Sequence, residues 1–72
     1  MNDLKPGDIL ILSRKIKRSR NWHKQELTVV SVHKGKNFIT VSNGLYMDAL
    51  DIWALNCDIK NGKVRLEVRS AV

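Results

Sequence analysis

Turn-forming dipeptides divide this chain into short runs of strand-forming residues, and that alternation leaves little room for helix. Pro6-Gly7, Asn43-Gly44 and Asn61-Gly62 are three such points, and Lys34-Gly35-Lys36-Asn37 makes a fourth. Proline fixes φ and the glycine after it is free to take positive φ, so Pro6-Gly7 predicts a type II turn with the first strand starting at about Asp8. That strand, Asp8-Ile9-Leu10-Ile11-Leu12-Ser13, is a short apolar run with two Ile. Residues 26–33 are rich in β-branched side chains, with Thr28, Val30 and Val32 on one pleat face and Leu27, Val29 and Ser31 on the other. Phe38-Ile39-Thr40-Val41-Ser42 follows as a strand. Asn43-Gly44 then signals a type I′ hairpin, whose two central residues both need positive φ, so Leu45-Tyr46-Met47 is expected to pair back.

The period changes once. Leu50, Trp53 and Ala54 fall at i, i+3 and i+4 behind Asp48, a residue suited to cap a helix, and predict one helical or 3₁₀ turn near residues 48–55. Beyond it, Cys57-Asp58-Ile59-Lys60 and residues 63–69 read as a second Asn-Gly hairpin. In the return strand Val64, Leu66 and Val68 face inward while Lys63, Arg65, Glu67 and Arg69 face water. Trp53, with Leu50 and Leu55, is expected in the interior, as is Phe38.

Seventy-two residues make a single domain, 1–72, and a chain this short buries only about 60% of its unfolded surface. Five or six short strands are most economically closed into a small barrel, because closure removes unpaired edges. Cys57 is the sole cysteine, so no internal disulfide can staple the fold. A free thiol, together with an N-terminus lacking the basic and apolar regions of an export signal, fits a reducing cytoplasmic compartment. No apolar run approaches the roughly 18 residues that cross a membrane.

The distribution of charge says more about partners than its total does. Of thirteen Lys and Arg, six lie between Arg14 and Lys24 with no acid among them, and the other seven balance the seven Asp and Glu. The net charge of +6 therefore sits in that one segment: Arg14, Lys15, Lys17, Arg18, Arg20 and Lys24, with Trp22 and His23 between them. Its large hydrophobes, Ile16 and Trp22, are spaced for no helical face, so a long, mostly irregular loop is expected at about 14–24. Each cation there could neutralise a phosphate and release counterions. Arginines would do so with bidentate geometry and lysines as point charges. Trp22 could stack on a base, a contact worth about 1 to 3 kcal/mol. The same charge could instead meet an acidic protein surface, or be a solvated loop with Trp22 folded back on the barrel rim. Lys34 and Lys36 would extend the positive surface if the two loops share one end. Tyr46 could join Trp22 or turn inward.

Other chemistries lack support. His23 and His33 are ten residues apart, with Cys57 and Asp58 distant, which matches no compact zinc spacing. Asp48 and Asp58 have local roles at a cap and a turn, so no acid/base pair stands out. The glycines form no phosphate-cradling loop. A protein without enzymatic activity, cofactor or metal is expected.

The order of elements resembles an SH3-like barrel: a Pro-Gly-Asp entry, a strand, a long first loop, three strands joined by tight turns, a helical turn and a terminal strand. In that resemblance the cationic segment occupies the first loop, where this fold often engages ligands. The opening Leu4-Lys5-Pro6-Gly7-Asp8-Ile9 and the general run of the chain also resemble the YorP-like small prophage proteins of Bacillus, which implies an SH3-like fold and a phage or bacterial setting but assigns no chemistry. The expectation is a monomeric, non-enzymatic all-β barrel that engages nucleic-acid phosphates with weak sequence specificity. The alternatives are a module binding an acidic protein and an accessory protein with no ligand at that loop.

Overall fold

In a computed structural model, which describes residues 4–15, 22–33 and 35–70, the chain enters the sheet through the turn that Pro6-Gly7 dictates. Asp8 N–H donates to the Lys5 carbonyl at 3.1 Å and Gly7 has φ 97°, the positive value that the third position of a type II turn requires. Strand β1 (Ile9–Lys15) follows, then β2 (Trp22–Val32), β3 (Phe38–Ser42), β4 (Met47–Asp51), helix α1 (Ile52–Lys60) and β5 (Val64–Arg69). The five strands form one antiparallel sheet in the order β4-β3-β2-β1-β5. The return of β5 to the side of β1 makes β4 and β5 the two edges, and α1 spans the opening between them while packing on β3, β4 and β5. The fold is thus small, barrel-like and mostly β, with one short helix.

Alternate residues of the central strands supply the core: Leu10, Leu12, Leu27, Val29, Ile39 and Val41, joined by Leu55 of α1 and Val64 of β5. A bulge at Val30, between the pairs Val29↔Val41 and Ser31↔Thr40, bends β2 so that it can curl around this cluster.

The C-terminal third departs from the sequence reading. The helix begins after Asp51, not Asp48: Asp51 has φ −76° and ψ 111°, and its carboxylate accepts the Ala54 N–H at 3.1 Å. Leu50 belongs to β4, so the inward helical stripe is Ile52, Leu55 and Ile59, at i, i+3 and i+7. Trp53, one residue past Ile52, is turned about 100° off that stripe and is 68% exposed, not interior.

Asn61-Gly62 closes this helix and does not turn a hairpin. Gly62 has φ 75°; its N–H donates to Ile59 O at 3.1 Å, and Lys63 N–H donates to Asp58 O at 2.9 Å, the two bonds of a Schellman cap. Both structures need a left-handed glycine, which is why the dipeptide alone does not separate them. Cys57 accordingly lies half-buried on α1, not at the start of a strand. The other Asn-Gly pair does turn a hairpin, shifted by one position. Asn43 N–H donates to Tyr46 O at 3.2 Å, so Gly44 and Leu45 are the central residues, and Asn43 Oδ1 accepts from Leu45 and Tyr46 at 2.9 Å. Phe38 is 38% exposed and lies against the His33 ring at 4.7 Å, outside the core cluster.

Candidate nucleic-acid interface

Both described ends of the cationic segment are strand, where its sequence pattern implied loop. β1 and β2 stay in register out to Arg14↔His23 and Lys15↔Trp22. Arg14, Lys15, Trp22 and Lys24 therefore stand on strands, so the expected loop over 14–24 is corrected at both its ends, while its middle, 16–21, lies outside the described residues. Main-chain ladder bonds hold the pair, and they do not require apolar side chains. Lys17, Arg18 and Arg20 lie outside the described residues.

Pleating sorts the described cations onto two faces. Leu10 and Leu12 point into the core, so Arg14 continues the inward row, while Ser13 and Lys15 stand on the outer face. Ser13 is paired with Lys24 on one side and with Arg65 on the other. Lys15 N–H also donates to Lys63 O at 3.4 Å. Two groups of cations remote in the chain, those of the hairpin and those at the start of β5, thus meet on neighbouring strands. Lys60, in the last turn of α1, ends at the same pole and there complements the helix dipole. Lys36 does not join them, because in an antiparallel meander the β2–β3 turn falls at the opposite end, beside Pro6-Gly7.

On the outer face the Arg65 guanidinium stands 4.8 Å from the centroid of the Trp22 ring, a cation–π contact. Trp22, opposite Lys15, is on β2 and Arg65, opposite Ser13, is on β5, so this contact runs diagonally across β1. Among the described residues no ion pair involves Arg14, Lys15, Lys24 or Arg65. The next row along the same face carries Glu26 and Glu67, both opposite Ile11, about 7 Å further along their strands. These carboxylates bound the positive surface without occupying it.

The inward side of the hairpin opens on a groove of about 380 Å³ whose lining includes Leu12, Leu27, Leu50, Arg14, Tyr46 and Asp48. Tyr46, 75% exposed, is therefore on the opposite side of the hairpin from Trp22, and the two rings do not form one platform. A recess of about 140 Å³, also lined by Arg14, extends to Asp51 and Asp58. Arg14 consequently faces carboxylates, whereas Lys15, Lys24 and Arg65 face solvent.

Sequence reasoning placed Arg65 and Lys63 on a wet face but could not give them their neighbours. The alternation of residues 63–69 was the available signal; the return of β5 to β1 was the missing fact. His33 is held locally, its Nε2 within 3.0 Å of Thr40 Oγ1 and 3.2 Å of Ser31 Oγ. Among the described residues no group of three or more His, Cys, Asp and Glu is gathered as for a metal, and no helix is long and apolar enough to cross a membrane.

The chain is a small, mostly β, barrel-like protein in which the described cations Lys15, Lys24, Lys63 and Arg65 meet at one end, a basic pole. No family model matches the chain, and neither does any curated protein or solved structure.

Proposed function

We propose that this chain is a small non-enzymatic binding protein of the SH3-like barrel type that engages nucleic-acid phosphates at its basic pole, with weak sequence specificity. The observation that carries the reading is the meeting of Lys15 and Lys24 with Arg65 and Lys63 across β2, β1 and β5. Lys17, Arg18 and Arg20 fall in the sequence between Lys15 and Trp22. Contacts of this kind position a protein on a phosphate backbone and carry little sequence information. The resemblance to YorP-like prophage proteins favours a phage or bacterial cytoplasm as the setting. Titrating binding to DNA and RNA oligonucleotides against salt tests the proposal: log affinity falls linearly with log salt in proportion to the phosphates neutralised. No binding to either polymer at low salt refutes it.

A second reading rests on a different feature. Leu45, Tyr46 and Met47 are 85%, 75% and 70% exposed, three consecutive apolar side chains beside the groove that contains Arg14. A cation next to exposed apolar surface also suits an acidic protein partner. Capture from bacterial lysate with and without nuclease separates the two, since only a protein partner survives the digestion.

A further inference from the structure

We infer that Arg65, remote from the basic hairpin in sequence, is a phosphate-binding residue of this pole, and that Trp22 positions its guanidinium and does not itself stack on bases. The inference rests on the nucleic-acid reading above and deepens it by naming the ligand as the phosphate backbone, whether single- or double-stranded.

Four observations converge. The Trp22 ring is half-buried, and one of its faces carries the Arg65 guanidinium at 4.8 Å. Stacking there would displace a cation that attracts the phosphate on the same ligand. Single-strand binders that stack combine successive aromatic rings along a charged groove, but Tyr46 lines the inward groove on the other side of the hairpin. Ser13, between Lys24 and Arg65 in the register, is short enough for the indole to lie over β1. The ring therefore takes Arg65, on an edge strand, and fixes its head on the face that carries Lys24 and Lys15. Arg65 is itself exposed and forms no ion pair among the described residues, so its donors remain available. Lys24 and Arg65 are two strands apart, about 10 Å between backbones, a span over which flexible side chains can reach separate phosphates.

The test is a double-mutant cycle on the full chain with Trp22→Leu, which keeps apolar cover over β1 but lacks the ring quadrupole, and Arg65→Ala. Affinity is measured for one single-stranded and one duplex oligonucleotide of mixed sequence over a range of salt, with circular dichroism confirming that each variant is folded. The expected result is that Arg65→Ala flattens the duplex salt slope by about 0.9. Trp22→Leu should weaken both polymers by the same factor, about two- to fivefold, and have no effect in the Arg65→Ala background. A Trp22→Leu loss of about fivefold or more on the single strand alone, persisting without Arg65, overturns the inference and restores the base-stacking role. An unchanged slope in Arg65→Ala overturns it as well. Absence of binding by the parent chain removes the nucleic-acid reading and this inference with it, an outcome distinct from either of those.

Discussion

Two aspartates three residues apart make opposite contributions at the edge of this sheet, and replacing each by alanine separates them. Asp51 ends β4 and caps α1, its Oδ1 accepting the Ala54 N–H at 3.1 Å. Asp48 lies within β4, and its Oδ1 accepts the Ala49 N–H at 2.8 Å. The register shows what that second bond does. Asn43 bonds Tyr46, and Ile52 N–H bonds Asn37 O, so alternation along the ladder turns the main-chain groups of Asp48 and Leu50 toward β3 and those of Met47, Ala49 and Asp51 away from it. Ala49 N–H therefore points out of the free edge, where Asp48 occupies it. Loss of an N-cap costs about 1 kcal/mol, within a range of roughly 0.5–2, and for a domain this size each kcal/mol lowers Tm by about 4–8 °C. Asp51→Ala should show that drop. Asp48→Ala, at an exposed site, should change stability by no more than about 0.5 kcal/mol. It should, however, free an edge donor next to the exposed Leu45, Tyr46 and Met47 and so promote edge pairing. Circular-dichroism melts and light scattering after gel filtration, at several protein concentrations, read both effects. Equal losses of Tm in the two variants, with Asp48→Ala still the same size as the parent at the highest concentration, would refute the assignment of edge and cap.

Other substitutions probe the rest of the fold. Leu10, fully buried, should cost about 2–5 kcal/mol on truncation to Ala, read as a large fall in the urea midpoint. Trp53→Ala should cost under about 0.5 kcal/mol, because the ring is 68% exposed; a loss of several kcal/mol in chemical denaturation would return Trp53 to the core. Gly62→Ala meets no neighbouring atom within 4 Å, yet its φ of 75° imposes left-handed strain of about 1–2 kcal/mol, which thermal melting should show.

The β-rich half of the chain was legible because pattern and turn chemistry agree there. Pro6-Gly7 specified its turn, and the β-branched runs of β2 and β3 lie where alternation put them. The C-terminal third was misread because Leu50 belongs to a strand but falls in phase with Trp53 and Ala54, which shifted the helix start by one turn. Asn61-Gly62 serves a helix cap as readily as a hairpin, so the helix end was lost with it. At the basic pole, charge clustering marked Arg14, Lys15, Trp22 and Lys24 as one segment but not the strand pairing among them. Arg65 stayed outside because its place beside the hairpin comes from the β1–β5 ladder, a contact between segments some fifty residues apart.

Convergence of the two chain segments on one pole is measured most directly by the salt dependence of duplex binding in two paired variants. Lys63→Ala with Arg65→Ala removes cations that only the fold brings to the hairpin, whereas Lys36→Ala with Arg69→Ala removes the same charge from the opposite end. A phosphate-binding pole predicts a slope flattened by about 1.8 in the first pair and unchanged in the second. Equal flattening in both would mean that net charge alone, and no particular surface, governs binding, which contradicts the proposed interface.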